Sequence, residues 1–347
     1  MQAAIVLLLL SVVIAAAALF YIRSQVAEIN RVAIAELDNG VAAGEAMNVL
    51  LVGSDSRERV SGDLAEQTGK TSVQGRRSDT IMVLRIDPGQ GKAMILSIPR
   101  DLYVTVAGTG RKDRVNSAFS LSGATGLVAT VESALGISIN HYVEVDFVGF
   151  RDIVDAVGGV KVYVPAPARD RYSGLSLSAP GCIRLNGTQS LAWVRSRYYE
   201  TMVGGRWRAD PTSDIGRIGR QQDFIRRMMR TAVDAGLTNP VKLNRLVGIG
   251  VRDVTLDVGM STKDVITIAR SFRSFDPTTV DMVTLPTRTT SVRGASVEIL
   301  LEDQAKPLID RLNGVGVAPA GVSPAPSSVP APASSPSTTT LDPAASC

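Results

Sequence analysis

The sequence predicts a layered α/β/α domain behind one transmembrane helix, and three observations carry that prediction. Short runs rich in aliphatic and β-branched residues are almost continuously apolar, as strands covered on both faces are. They alternate with longer segments whose apolar residues recur at helical spacing and which end in glycine. Ahead of both, residues 3–20 hold no charge, and all eighteen are apolar or small.

That stretch, "AAIVLLLLSVVIAAAALF", is about as long as a helix needs to cross a bilayer. A cleaved signal peptide is the alternative, but it would carry a basic start and a shorter apolar centre. We read 1–22 as a retained signal anchor. The span is followed by Arg23 and Arg31 and preceded by no charge, so flanking charge does not orient it. Residues 23–46 read as a helical stalk.

The folded module is expected over 47–313. "NVLLVG", "TIMVLRID", "KAMILSI" and "HYVEVDF" read as strands, "GATGLVATVESALG" and "FVGFRDIVDAVG" as helices, and "GVKVYVP" as a further strand. "SDIGRIGRQQDFIRRMMRTAVDAG" is a long helix capped by Ser213 or Asp214. The last third adds strands in "DVTLDV" and "TVDMVTLP", with a helix from about Thr262 to Phe272. Alternation of strands and helices favours layers around one sheet. Residues 314–347 carry one charge and are rich in Pro, Ala, Ser and Thr, too polar and too poor in large apolar groups to order themselves.

The chain has a net charge of +4, but between Arg195 and Arg230 nine arginines face four acids, a local net of +5. Such a focus suits an anionic ligand. With one histidine and two cysteines, a metal site built on imidazole or thiolate is nearly excluded. His141 opens a strand pattern and reads as structural. Cys182 and Cys347 make no disulfide framework, and a cysteine ending such a tail gives little reason to pair them. No glycine-rich phosphate loop is present, since "GSDSRE" lacks the Gly-Lys-Ser/Thr ending. Phosphate would therefore be held by guanidinium forks.

Candidate ligand-binding groups stand at strand ends and on the long helix. Asp55 closes "NVLLVGSDSR" and Asp79 opens "RRSDTIMVL"; if these strands are neighbours, both carboxylates face one crevice at the sheet edge. Two aspartates without nitrogen or sulfur suit Mg²⁺ completed by water and phosphate, although strand-end aspartates also serve as turn or cap residues. Arg100 follows "MILSIP" in the same neighbourhood. Arg195 and Arg197 alternate, so an extended or irregular segment would point both one way. Asp214, Arg217 and Gln221 share one helical stripe, continued by Phe224 and Met228. That face fits an amphiphile with an anionic head, and equally a surface helix with its polar side outward.

Taken together and in order, "NVLLVGSDSR", "RRSDTIMVLRID", "AMILSIPRDLYVTV", "RVNSAF", "VDAVGGVKVYVP", "LNGTQSLAWVRSRY" and "DIGRIGRQQDFI" resemble the LytR-CpsA-Psr family. The likeness runs from about Asn48 to Arg230 and less distinctly to Asn313. It implies a three-layer α/β/α sandwich with a central mixed sheet and a hydrophobic tunnel for a polyprenyl chain. The implied activity is transfer of a glycopolymer from a polyprenyl-pyrophosphate carrier to peptidoglycan through a phosphodiester bond, outside the cytoplasmic membrane. It also implies Asp55 and Asp79 as Mg²⁺ ligands and Arg100 as the main pyrophosphate arginine, with Arg114, Arg195, Arg197, Arg217, Arg220 and Gln221 around it. Asp79 and Asp101 are candidates for the base that takes the acceptor's proton. The segment from Glu58 to Arg77 is long and polar, a departure that loosens the placement of Asp55. Two other functions remain open, a lipid-binding regulatory module and a pyrophosphatase using water. No helix-turn-helix is recognisable, and a membrane anchor would hold the arginines away from the chromosome, so nucleic acid is not an expected partner.

Overall fold

The structure, a computed structural model, describes residues 29–55, 78–234, 254–264, 280–315 and 347, apart from 36, 39, 43, 44, 212, 262 and 263. The expected membrane span, the Glu58–Arg77 segment, most of the expected helix Thr262–Phe272 and most of the 314–347 tail lie outside the described residues.

In chain order the domain begins with β1 (Asn30–Val32), β2 (Met47–Ser54), β3 (Ser78–Asp87) and β4 (Lys92–Ile98), then the short pair β5 (Tyr103–Thr105) and β6 (Lys112–Arg114). Helix α1 (Val115–Leu135), β7 (His141–Val145) and α2 (Phe147–Val157) follow. Next come β8 (Val160–Val164), β9 (Ala168–Asp170), β10 (Leu175–Leu177), β11 (Gly181–Leu185) and α3 (Gly187–Arg195). β12 (Glu200–Val203), β13 (Arg206–Ala209) and α4 (Ser213–Asp234) lead to β14 (Val254–Asp257), β15 (Asp281–Thr284), β16 (Thr287–Val292), β17 (Ala295–Leu300) and α5 (Glu302–Leu312).

Among the described residues, seven strands form the central sheet in the order β1-β14-β7-β2-β3-β4-β15. It is mixed: β2, β3 and β4 are successively antiparallel, while β7 runs parallel to β2 and β15 parallel to β4. Alternate side chains explain why these strands are apolar almost throughout. Leu50, Val52, Ile81, Val83 and Leu96 pack with Phe119, Leu127 and Val131 of α1 and with Ala305 and Leu312 of α5. Val49, Met82, Leu84, Ile86 and Ile95 form the other face's core, with Ile225 and Met229 of α4 against it. The result is the expected α/β/α layering. Beside it, β8 with β11 and the sheet β10-β9-β12-β13 build a smaller unit. There Val160, Val162, Val164, Leu185, Trp193 and Phe224 are buried together.

The stretch expected as a helical stalk is different where it is described. Asn30–Val32 is an edge strand parallel to β14, and Ile34 and Leu37 enter the main core. Arg31 clamps this strand by donating from Nη1 to the carbonyls of Asp257 (3.0 Å) and Met260 (2.6 Å). The domain thus starts before residue 47. Pairing across more than two hundred residues outweighs the local helical pattern.

Helix α1 also starts earlier than its periodicity suggests, with a kink at Ser122 and Gly123 where Gly123 takes φ 61°. Among the described residues it alone is long and apolar enough to cross a membrane; it packs into the main core and owes its apolar character to burial there. His141 is structural as read: buried, with Nδ1 3.2 Å from the buried Asp257 carboxylate, it ties β7 to β14. Cys182, on β11, is bonded to Cys347, with 5.5 Å between their Cα atoms; the tail cysteine pairs despite the composition around it.

Candidate functional site

Strand register gathers the polar strand ends at one edge of the sheet. Gly53 stands opposite Thr80 on one side and Val145 on the other, and Ile81 opposite Ile98. The ends of β2, β4 and β7 and the start of β3 therefore meet, placing Asp55, Asp79, Arg100 and the first turn of α2 together. That turn is capped by Asp146, whose Oδ1 accepts from the Gly149 N–H at 2.8 Å.

From this edge a cavity of about 530 Å³ runs between the sheet and α2, α3 and α4. Its deeper lining is apolar: Met82 and Val143 on the sheet, Phe147, Phe150 and Leu191 on α2 and α3, and Phe224, Ile225 and Met228 on α4. Its mouth holds Asp55, Asp79, Arg100, Arg195, Arg197, Arg217 and Gln221. The α4 stripe of Arg217, Gln221, Phe224 and Met228 faces inward as a unit, which answers the surface-helix alternative. The Asp214 side chain lies outside the described residues. Asp55 and Asp79 do share one crevice.

Asp79 is the centre of the charge arrangement. Its Oδ1 accepts from Arg100 Nη1 at 2.6 Å and from Arg197 Nη2 at 3.4 Å, and Arg217 Nη1 donates to its carbonyl at 3.3 Å. Burial opposes ionisation of this carboxyl, but Arg100, Arg197 and Arg217 outweigh it and hold it below the ordinary aspartate range. Gln221 donates from Nε2 to Thr80 Oγ1 (3.2 Å) and to the Val194 carbonyl (3.0 Å), joining α4 to β3 and α3. Arg195 lies 4.6 Å over the Phe147 ring, where the charged mouth meets the apolar depth.

Three residues expected at the mouth sit behind it. Asp101 places Oδ2 3.5 Å from Arg100 Nε and Oδ1 3.4 Å from Arg114 Nε, and Arg114 donates to the Ser296 carbonyl at 2.8 Å. This pair backs Arg100 without lining the cavity. Arg220 donates to Asp210 Oδ2 (3.2 Å) and to the Ser196 carbonyl (2.6 Å) and covers the Tyr199 ring at 4.5 Å. It braces the segment that bears Arg195 and Arg197. That segment is not extended: α3 runs through Arg195, opened by a capping box in which Asn186 and Gln189 exchange hydrogen bonds at 2.9 and 3.1 Å.

One densely hydrogen-bonded residue of the site gives little sign of itself in the sequence. Asp170, 1 % exposed, accepts from the N–H groups of Tyr172 (2.8 Å) and Ser173 (3.2 Å) on Oδ1. Its Oδ2 accepts from Ser196 Oγ (2.8 Å) and the N–H groups of Arg197 and Tyr198 (both 2.9 Å). Burial would raise its pKa, but the Ser196 hydroxyl and the Tyr172, Tyr198 and Ser173 amides prevail and lower it. One carboxylate thereby fixes both loops at the mouth. In "ARDRYSG" it reads as a turn residue, and three of its five donors lie 26 to 28 residues downstream.

Residues 17–314 match the model of the LytR_cpsA_psr family. Over 235 residues the chain is 37 % identical to a Corynebacterium glutamicum protein named probable cell wall biosynthesis protein LcpB, covering 67 % of this chain and 53 % of that one. Over 191 residues it is 35 % identical to the Bacillus anthracis polyisoprenyl-teichoic acid–peptidoglycan teichoic acid transferase TagU, covering 55 % and 54 %. The chain thus spans about half the length of either relative. Among solved structures, a LytR-Csp2A-Psr enzyme from Actinomyces oris superposes with a TM-score of 0.65 at 28 % identity, over 82 % of this chain and 95 % of that one. A family model that covers the whole sheet and every residue of the cavity mouth leaves no ambiguity of membership: the chain belongs to the LytR_cpsA_psr family.

Proposed function

We propose that this protein transfers a glycopolymer from a polyprenyl-diphosphate carrier to a peptidoglycan hydroxyl, forming a phosphodiester. The observation that carries the reading is the continuity of one cavity whose apolar depth ends in the guanidiniums of Arg100, Arg195, Arg197 and Arg217. An elongated hydrocarbon with a diphosphate at its end matches that sequence of environments, and guanidinium forks match phosphate oxygens. The activity in the name of the Bacillus anthracis relative supports the same reading. A membrane anchor over residues 3–20 would place the cavity near its lipid carrier.

In the proposed reaction the acceptor hydroxyl attacks the sugar-bearing phosphorus, a new P–O bond forms, the bond to the bridging oxygen breaks, and polyprenyl phosphate departs. Such a transfer depends on positioning and charge stabilisation rather than on a covalent nucleophile. Arg100 and Arg197 bind and orient the diphosphate, Arg217 adds charge from the buried side, and the apolar walls exclude water. Of the two carboxylates considered as base, Asp79 lines the cavity and Asp101 does not, so the acceptor proton is assigned to Asp79.

Mg²⁺ fits the donor set in one limited form. Among the described residues no three metal-binding side chains converge, but Asp55 and Asp79 flank the mouth, and Mg²⁺ is commonly held by one or two carboxylates plus substrate phosphate and water. Bound there, it would neutralise charge on the diphosphate.

The test is Arg100→Ala with a purified carrier-linked glycan and peptidoglycan. Transfer should fall by more than about 100-fold while the variant still unfolds in one cooperative transition. Transfer at the normal rate would overturn the assignment. Release of polyprenyl phosphate without peptidoglycan would instead identify a pyrophosphatase, and binding with no turnover a regulatory module.

A further inference from the structure

We propose that Tyr172 and Tyr198 form a stacking platform for the sugar that directly follows the carrier's diphosphate. The inference rests on the reading of the cavity as a prenyl-diphosphate site and adds a subsite to it. Tyr172 is 76 % exposed and Tyr198 61 %, yet both line the cavity and their ring centroids lie 4.6 Å apart at an interplanar angle of 44°. Exposed aromatic rings usually hang on loose loops, but these do not. Their backbone N–H groups are both fastened to the buried Asp170 carboxylate, at 2.8 and 2.9 Å, and the N–H of Arg197 is fastened to the same oxygen as that of Tyr198. The backbone that carries the two rings and the backbone that carries Arg197 therefore share one anchor.

Position along the cavity names the ligand. The inner lining is apolar, with Phe224 1 % exposed; the mouth is cationic, with the Arg100 and Arg197 side chains 17 % and 28 % exposed; and the most exposed lining residues are the two tyrosines. A carrier laid along that gradient has its hydrocarbon inside, its diphosphate at the arginines and its first pyranose at the tyrosines. A pyranose presents a C–H face to an aromatic ring and hydroxyls to a phenol, the two surfaces a tyrosine offers. Free inorganic diphosphate or a bare prenyl diphosphate would leave the platform unused.

The experiment uses the full chain in detergent and titrates two probes, geranylgeranyl diphosphate and the same diphosphate carrying N-acetylglucosamine. The wild type should bind the sugar-bearing probe about tenfold more tightly, in keeping with the energy of aromatic contacts. The Tyr172→Ala/Tyr198→Ala double variant should bind the bare probe normally, which also reports its folding, and lose the sugar increment. Tyr172→Phe/Tyr198→Phe should keep most of it. Equal binding of both probes by the wild type, or an increment that survives in the alanine variant, would overturn the platform and leave the diphosphate reading intact. Failure of the wild type to bind either probe would remove that reading and the platform with it. An intact increment combined with lost binding to phosphatidylglycerol vesicles would assign the tyrosines to the membrane surface instead.

Discussion

Replacing Asp170 with asparagine keeps the shape of the side chain and removes one acceptor oxygen, so its cost can be worked from five hydrogen bonds. If the remaining oxygen takes the Oδ1 position, Tyr172 and Ser173 keep their acceptor, and the new amide faces Ser196 Oγ and the N–H groups of Arg197 and Tyr198. The serine hydroxyl can turn to accept; the two backbone groups cannot. If the amide is flipped, the N–H groups of Tyr172 and Ser173 are stranded instead. Either way two backbone donors in a largely buried site lose their partner, at about 1–3 kcal/mol each. Because some of these donors are only partly buried, the lower half of that range applies, and Asp170→Asn should cost about 2–4 kcal/mol in urea unfolding with an unchanged m-value. A pH series separates this cause from simple loss of packing. The folded carboxyl has a lowered pKa, so below the ordinary aspartate value of about 3.9 the unfolded chain binds the extra proton, and this stability is lost as pH falls through the folded pKa. The gap between wild type and variant should thus hold steady from about pH 8 to 5 and shrink below about pH 4. A loss under about 1 kcal/mol, or a gap that ignores acid, would refute the view that this carboxylate holds the two loops.

Two further substitutions probe the depth and the charge of the cavity. Met228→Trp adds bulk to the apolar lining and should weaken geranylgeranyl diphosphate by at least about tenfold while leaving inorganic diphosphate unchanged; equal weakening of both would show that the hydrocarbon does not lie there. For the cation, calorimetry should find Mg²⁺ binding to the full chain strengthened by geranylgeranyl diphosphate, and Asp79→Asn should abolish that enhancement. Enhancement that persists in the variant would exclude Asp79 as a ligand.

Much of the sheet was legible because its signal is local. "NVLLVG", "TIMVLRID" and "KAMILSI" are apolar at nearly every position, and each is a strand with cover on both faces. Arg217, Gln221, Phe224 and Met228 were legible because helical spacing alone puts them on one stripe, and Asp79 and Arg100 because they stand where strands end. The misses were relations between distant segments. Three residues, Asn30–Val32, become a strand only through β14, so their own pattern suggested a helix. The alternation of Arg195 and Arg197 suits an extended or irregular segment, whereas the Asn186 and Gln189 capping box opens a helix that runs through Arg195. Asp101, Arg114 and Arg220 share the charge and neighbourhood of the mouth residues, and only packing shows that they support them from behind. Asp170 has neither periodicity nor a charged neighbour of special kind, since its partners are mostly backbone N–H groups that every residue carries.

The arrangement of Asp79 explains why a cation would accompany substrate rather than wait for it. Arg100 and Arg197 both donate to Asp79 Oδ1, and a dication beside that oxygen would meet two guanidiniums at close range. A diphosphate that takes those two arginines withdraws them from the carboxylate. It would leave Asp79 half-buried and ionised with fewer donors, a costly state unless another positive charge arrives. Asp55 lines the same mouth, so the vacated position has two carboxylates and phosphate oxygens around it, the oxygen-rich surroundings that Mg²⁺ prefers. On the proposed reading, then, Asp79 would have two successive partners: it holds the arginines in register, and with Asp55 it would hold Mg²⁺ once those arginines had moved to phosphate. A dication lowers a carboxyl pKa as the guanidiniums do, so Asp79 would stay ionised through the exchange, and the carboxylate oxygen turned away from the metal would be the one to take the acceptor's proton.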